Sequence, residues 1–160
     1  MSFELARSLL CTAVRRRVAP GTPMLGDCDR QPAPRLISAT DLAARYAHMA
    51  LLPVEVLVVI GLDGNGFLRS ETHFRGQVAH VAVRPAQALR AVVATGATAL
   101  ALVHNHPSGR SRPSAADVAF TGRMADAARL LGLALVDHII VASRGWTSLA
   151  QRGLLGRSDP

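Results

Sequence analysis

Apolar and polar positions along the chain change their spacing at regular intervals, and the spacing predicts most of the elements. Phe3 to Val18 places Leu5, Leu9 and Val14 on one side, with Arg15, Arg16 and Arg17 at the end, as expected for a short peripheral helix whose dipole favours positive charge at its C-terminus. Residues 19–34, APGTPMLGDCDRQPAP, are dense in proline, glycine and aspartate and read as a linker. Ser38 or Thr40 caps a helix running to about Met49.

Val54 to Leu62, VEVLVVIGL, is a β-branched run closed by Asp63-Gly64-Asn65-Gly66, a hairpin signal, and Phe67 to Phe74 returns antiparallel. A third strand follows at Val78 to Val83. Arg84-Pro85 then opens a helix to about Thr95, with Gly96 as its stop. Ala97 to His104 reads as a buried strand and Ser114 to Leu131 as a helix with Phe120, Met124, Ala127 and Leu131 on its inner stripe. Leu133 to Ala142 is a second buried strand, and Trp146 to Leu149 a short last one, its tryptophan expected to fill the core. The order gives an α/β (α+β) domain with a mixed sheet flanked by helices, residues 36–152, after an N-terminal helix and linker (1–35) and before a tail (153–160).

Composition narrows the picture without naming a function. The 160 residues fit one domain, and 49% hydrophobic with 18% charged residues is globular rather than disordered. All 18 basic residues are arginine, for a net charge of +7, but they are scattered, and a solvated face accounts for such scatter more readily than a nucleic-acid patch, although a polyanion partner is conceivable. Cys11 and Cys28 lack metal or redox spacing, and no stretch reads as a signal peptide or membrane span, so a soluble protein of a reducing cytoplasm is expected.

The chemistry collects in His104 to Asp117, HNHPSGRSRPSAAD, at the exit end of a buried strand, where open α/β sheets keep their ligand sites. Alternation along a strand sends His104 and His106 to one side and Asn105 to the other. Pro107, Gly109 and Pro113 turn the chain, and Ser114 begins a helix whose first turn holds Asp117, so a carboxylate is carried back toward the two imidazoles. Two nitrogens and an oxygen suit zinc with an open fourth position, the arrangement of catalytic zinc. Ser114-Ala-Ala-Asp117 is also a helix-capping pattern, and the histidines taken alone also read as a hydrogen-bonded loop pair; capping and ligation are compatible.

His104-x-His106-Pro107, with Ser114 eight and Asp117 eleven residues after the second histidine, resembles the JAMM motif of JAB/MPN-domain metalloproteases. The fuller string, with Thr121 following and LGLALVDHIIVA in the next strand, resembles the bacterial RadC-like JAB branch more closely, over roughly Ile37 to Leu149. The resemblance implies a cytidine-deaminase-like fold with a curved, mostly antiparallel sheet. It further implies one zinc on His104, His106 and Asp117, oxyanion stabilisation by Ser114, and a water-activating glutamate from an earlier strand. Glu55 matches the start of that strand; Glu71 is the other candidate, and reads otherwise as an exposed hairpin residue. Longer RadC relatives carry a helix-hairpin-helix-like segment, for which residues 1–34 are too short and proline-rich.

The implied activity is hydrolysis of a peptide or isopeptide bond in a peptide or protein substrate. The alternative is a DNA-repair accessory that binds nucleic acid or a protein partner around a non-catalytic metal. A metal-dependent nuclease is disfavoured, because the letters H-N-H are adjacent here and distant in that class. His138 is expected to pair with Asp137 in the core, Asn105 and Ser108 to be candidates for lining the cleft, and His48, His73 and His80 to serve surface or packing roles.

Overall fold

Seven consecutive buried residues, Val56–Leu62, form β1, the strand on which the hairpin is built. In the computed structural model the described residues are 34–36, 38–76 and 83–156, all within one compact unit, Ala33–Pro160. The expected helix at Phe3 to Val18, the linker up to residue 33 and positions 78–82 of the expected third strand lie outside them; Val83 itself is buried but not in a strand.

The turn after β1 is set by Asp63, whose carboxylate accepts the N–H groups of Asn65 (2.9 Å) and Phe67 (3.0 Å) while Gly66 takes φ 80°. The chain returns as β2 (Leu68–Arg75), antiparallel to β1. Helix α2 (Pro85–Ala94) starts with proline in its first turn and leads into β3 (Ala99–Asn105), which pairs antiparallel with β1. Helix α3 (Ala115–Leu130) crosses back to β4 (Ala134–Ala142), parallel to β3, and β5 (Gly145–Ser148) closes the edge antiparallel to β4. The five strands run in the order β2-β1-β3-β4-β5, a mixed sheet with the features of a JAB/MPN fold.

Each sheet face has its own apolar layer. Helix α1 (Ala39–Tyr46), capped by Ser38 rather than Thr40, and the 3-10 turn Ala47–Leu51 cover one face, where Leu42, Tyr46 and Met49 pack on Val58, Ile60 and Val103. Helices α2 and α3 cover the other, with Leu89, Val92 and Met124 on Leu57, Val59 and Leu102. These buried side chains stabilise the fold by about 1.5–3 kcal/mol each relative to exposure.

Two expectations are corrected. The buried stripe of α3 is Asp117, Thr121, Met124 and Ala128; of the predicted apolar stripe Met124 belongs to it, Phe120 and Ala127 pack only partly buried at its margin, and Leu131 is exposed. Trp146 is 40% exposed because β5 is an edge strand and the ring does not reach the core.

Candidate metal centre

Leu100, Leu102 and His104 alternate onto the α2/α3 face of β3, and His106, two residues further, keeps that side although the strand has ended. The His106 N–H bonds the carbonyl of Val141 at 3.0 Å, so the ladder with β4 still holds its backbone. Gly109, at φ 79°, closes a turn onto the carbonyl of His106, and the carbonyl of Arg110 comes within 2.9 Å of His106 Nδ1. A carbonyl only accepts, so Nδ1 carries the proton and Nε2 presents its lone pair.

Asp117 arrives from the first turn of α3. Ser114 caps that helix: its Oγ accepts the Asp117 N–H at 3.1 Å, while its own N–H and O–H donate to Asp117 Oδ2 at 2.7 Å each. The capping box therefore forms, and the same carboxylate turns inward to the histidines. Its Oδ1 lies 3.3 Å from His104 Nε2 and its Oδ2 3.4 Å from His106 Nε2, while the two Nε2 atoms are 2.9 Å apart. His104, His106 and Asp117 form a group able to hold a metal ion, its ligand atoms all within 4.8 Å of one another.

The donor set fits an ion. Ligands bound at about 2.0–2.1 Å in a tetrahedral arrangement lie roughly 3.3–3.4 Å from each other, the separation of both histidines from the carboxylate. His104 is fully buried, Asp117 nearly so, and the His106 side chain is 13% exposed, which leaves the site open on the His106 side. Burial alone would raise the Asp117 carboxyl, but the adjoining imidazoles of His104 and His106 and the hydrogen bonds from Ser114 hold it well below the usual carboxylate range. The Asp117 carboxylate beside its ring raises His106 above its ordinary value by favouring the protonated form, against the opposing effect of burial, and the Arg110 carbonyl and the charge of Glu55 also raise it.

Glu55 directly precedes β1. The pairing Leu57↔His104, continued by two residues, sets Glu55 opposite His106 on the same side of the sheet. Glu71 is elsewhere: paired with Ile60 on the α1 face, it bonds Arg45 and His73. Asn105 does not line the cleft. Its carboxamide points to the α1 side, accepts the Val56 N–H at 2.7 Å and donates to the carbonyl of Val54 at 3.0 Å, clamping the peptide groups on both sides of Glu55.

His138 and Asp137 are joined only through the main chain, the His138 N–H donating to Asp137 Oδ1 at 2.7 Å, and their side chains do not pair. Neighbours in a strand face opposite ways, and Asp137 turns from the site to accept the O–H of Ser148 (2.7 Å) and the N–H of Ala150 (3.0 Å). His138 faces the site, where Nε2 lies 2.8 Å from His104 Nδ1 and Nδ1 lies 2.6 Å from Thr121 Oγ. Sequence reasoning missed both contacts. Two signals pointed to them: the parity that separates Asp137 from His138, and the four-residue spacing that puts Thr121 on the helix face of Asp117.

No described helix is long and apolar enough to cross a membrane. The sequence profile described as RadC-like JAB domain matches residues 37–154. Among curated proteins the chain is 40% identical to a UPF0758 protein of Paracidovorax citrulli over 109 residues, 68% of this chain and 46% of that one. It is 38% identical to a UPF0758 protein of Rhodobacter capsulatus over 123 residues, 75% of this chain and 58% of the relative. With one from Bordetella avium the figures are 36% over 170 aligned positions, 96% of this chain and 73% of the relative. The chain thus spans about half the length of the first two.

Proposed function

Because this chain belongs to the RadC-like JAB domain family, we propose that His104, His106 and Asp117 hold one zinc ion and that the protein hydrolyses a peptide or isopeptide bond. The observation that carries this reading is the convergence of two imidazole Nε2 atoms and one carboxylate on a single point, with Glu55 across from His106 on the same sheet face. Three protein ligands leave a position for solvent, as in catalytic rather than structural zinc sites. Bound there, zinc would supply a Lewis acid for the carbonyl and would lower the pKa of water toward about 7.

The remaining steps belong to the protein. The Glu55 carboxylate takes a proton from the attacking water and returns it to the departing nitrogen, so one group serves as base and then as acid. Ser114 holds its hydroxyl proton on Asp117 Oδ2 at rest; rotation about its Cα–Cβ bond redirects that proton to the developing oxyanion, a contribution of about 10²- to 10³-fold in comparable sites. Glu71, on the far face and engaged by Arg45 and His73, takes no part.

The test is metal content and turnover measured together. Purified wild type should carry near one zinc per chain; His104→Ala and Asp117→Ala should lose it. Glu55→Gln should retain zinc while turnover of a peptide and isopeptide substrate panel falls by about 10²- to 10⁴-fold. Zinc-free protein after zinc-replete expression would defeat the reading. Undiminished turnover in Glu55→Gln would remove Glu55 from it, and zinc binding with no turnover of any substrate would favour a non-catalytic metal module.

A further inference from the structure

Three hydrogen bonds in series join the main chain of one candidate ligand, Asp117, to the side chain of another, His104. Thr121 Oγ lies 2.6 Å from the carbonyl oxygen of Asp117 and 2.6 Å from His138 Nδ1; His138 Nε2 lies 2.8 Å from His104 Nδ1; and His104 Nε2 faces Asp117 Oδ1. Thr121, His138 and His104 are all fully buried, so no solvent molecule offers these groups an alternative partner.

The direction of every bond follows from the first. A carbonyl has no proton, so the Thr121 hydroxyl donates to Asp117 O and can only accept from His138. His138 Nδ1 therefore carries a proton. An imidazole at full burial with no carboxylate bonded to it is neutral, so His138 Nε2 is a bare lone pair and must accept. The donor is His104 Nδ1–H, which leaves His104 Nε2 as the lone pair aimed at Asp117 and His106.

We infer that Thr121 and His138 are positioning residues that fix the tautomer and ring orientation of His104, so that its Nε2 is presented unprotonated to the site. Metal-bound histidines ordinarily rely on a carboxylate, backbone carbonyl or water at the second nitrogen. His106 follows that habit through the Arg110 carbonyl. His104 instead uses a relay of two side chains whose polarity is set at the carbonyl of Asp117, so one turn of α3 orients two ligands at once. A back-bonded threonine inside a helix is common and often silent; here the same oxygen is also the acceptor that decides which nitrogen of His138 is protonated. The inference rests on the metal-site reading only for what Nε2 then binds.

Imidazole ¹H–¹⁵N spectra of ¹⁵N-labelled protein, recorded metal-free and zinc-loaded, read the tautomers directly. The expected pattern is His138 protonated at Nδ1 alone, His104 protonated at Nδ1, and a coupling across the His104 Nδ1–H···Nε2 His138 bond. His138 protonated at Nε2, or at both nitrogens, overturns the inference. Because the relay is complete without an ion, the metal-free spectrum decides it even if wild type binds no zinc, a result that would instead strike the proposed function. In zinc competition against a chelator, Thr121→Val should weaken binding by about 10- to 100-fold and Thr121→Ser should restore it. Unchanged affinity in Thr121→Val, with the His138 tautomer unmoved, also overturns it. Should Thr121→Val fail to fold, Thr121→Ser and the wild-type spectra still decide the matter.

Discussion

The carboxamide of Asn105, placed between two histidines, turns away from both and accepts the main-chain N–H of Val56 at 2.7 Å. Its amide also donates to the carbonyl of Val54, so the peptide groups flanking Glu55 are tied to the strand that carries His104. Asn105→Ala leaves a buried N–H without a partner and should cost about 1–3 kcal/mol in urea unfolding. Zinc content should hold while turnover falls, because Glu55 loses its anchor and the ligands do not. Asn105→Asp keeps the acceptor, loses the donor and should fall between. Equal stability of Asn105→Ala and wild type would refute the clamp.

Ser114 makes three of the bonds that orient Asp117, and two of them pass through its hydroxyl. Ser114→Ala should lower stability by about 1 kcal/mol through loss of the helix cap and should weaken zinc binding as well, since the carboxylate is freed from one donor. Thermal unfolding and chelator competition check the two effects separately. Ser38→Ala, which removes the matching capping box of α1 far from the ligands, is the control: it should cost similar stability and leave zinc affinity alone.

The sequence made the metal group legible because its geometry is local. Strand alternation relates His104 to His106, a short turn-rich loop follows, and a first-turn helix position supplies Asp117, so offsets alone bring the three candidate ligands together. The hairpin was legible for the same reason. What depended on tertiary register was not. The α3 stripe was predicted from apolar residues, whereas the face that meets the sheet begins with Asp117 and Thr121, polar residues that serve the site. His138 lies 34 positions from His104, and only the parallel register of β3 with β4 makes them neighbours. The sheet faces of Glu55 and Glu71 were not legible either, because the irregularity in pairing between Gly61 and Leu62 hides the parity of β2 from any count along the chain.

Acid should separate Glu71 from the site. Its hydrogen bond from His73 lowers its pKa to about 2 from an ordinary 4.5, against burial and with help from Tyr46 and Arg45. A depressed carboxylate stabilises the fold above its unfolded pKa and loses that contribution as pH falls. The difference in unfolding free energy between wild type and Glu71→Gln should thus be full above about pH 4.5, on the order of 0.2–1 kcal/mol for such a part-exposed cluster, and should fade toward pH 2. Zinc content at neutral pH should not change. A difference that grows on acidification would contradict the ion-pair account.

Gly109 sits at the tightest point of the loop that serves His106. Its φ of 79° costs an L-residue about 1–2 kcal/mol, and a Cβ there would lie 2.7 Å from Ser143 Oγ. The turn it closes delivers the Arg110 carbonyl to His106 Nδ1, so strain at Gly109 is passed to a ligand's tautomer rather than absorbed in solvent. Gly109→Ala should lower stability by about 1–2 kcal/mol and weaken zinc binding with it. Ser143→Gly removes the oxygen a new Cβ would meet, so the double variant isolates the backbone contribution: if φ dominates, zinc affinity stays low, and if the contact dominates, it returns. Wild-type affinity and stability in Gly109→Ala alone would show that the loop can adopt another turn without disturbing His106, and the coupling between Gly109 and the metal group would fall.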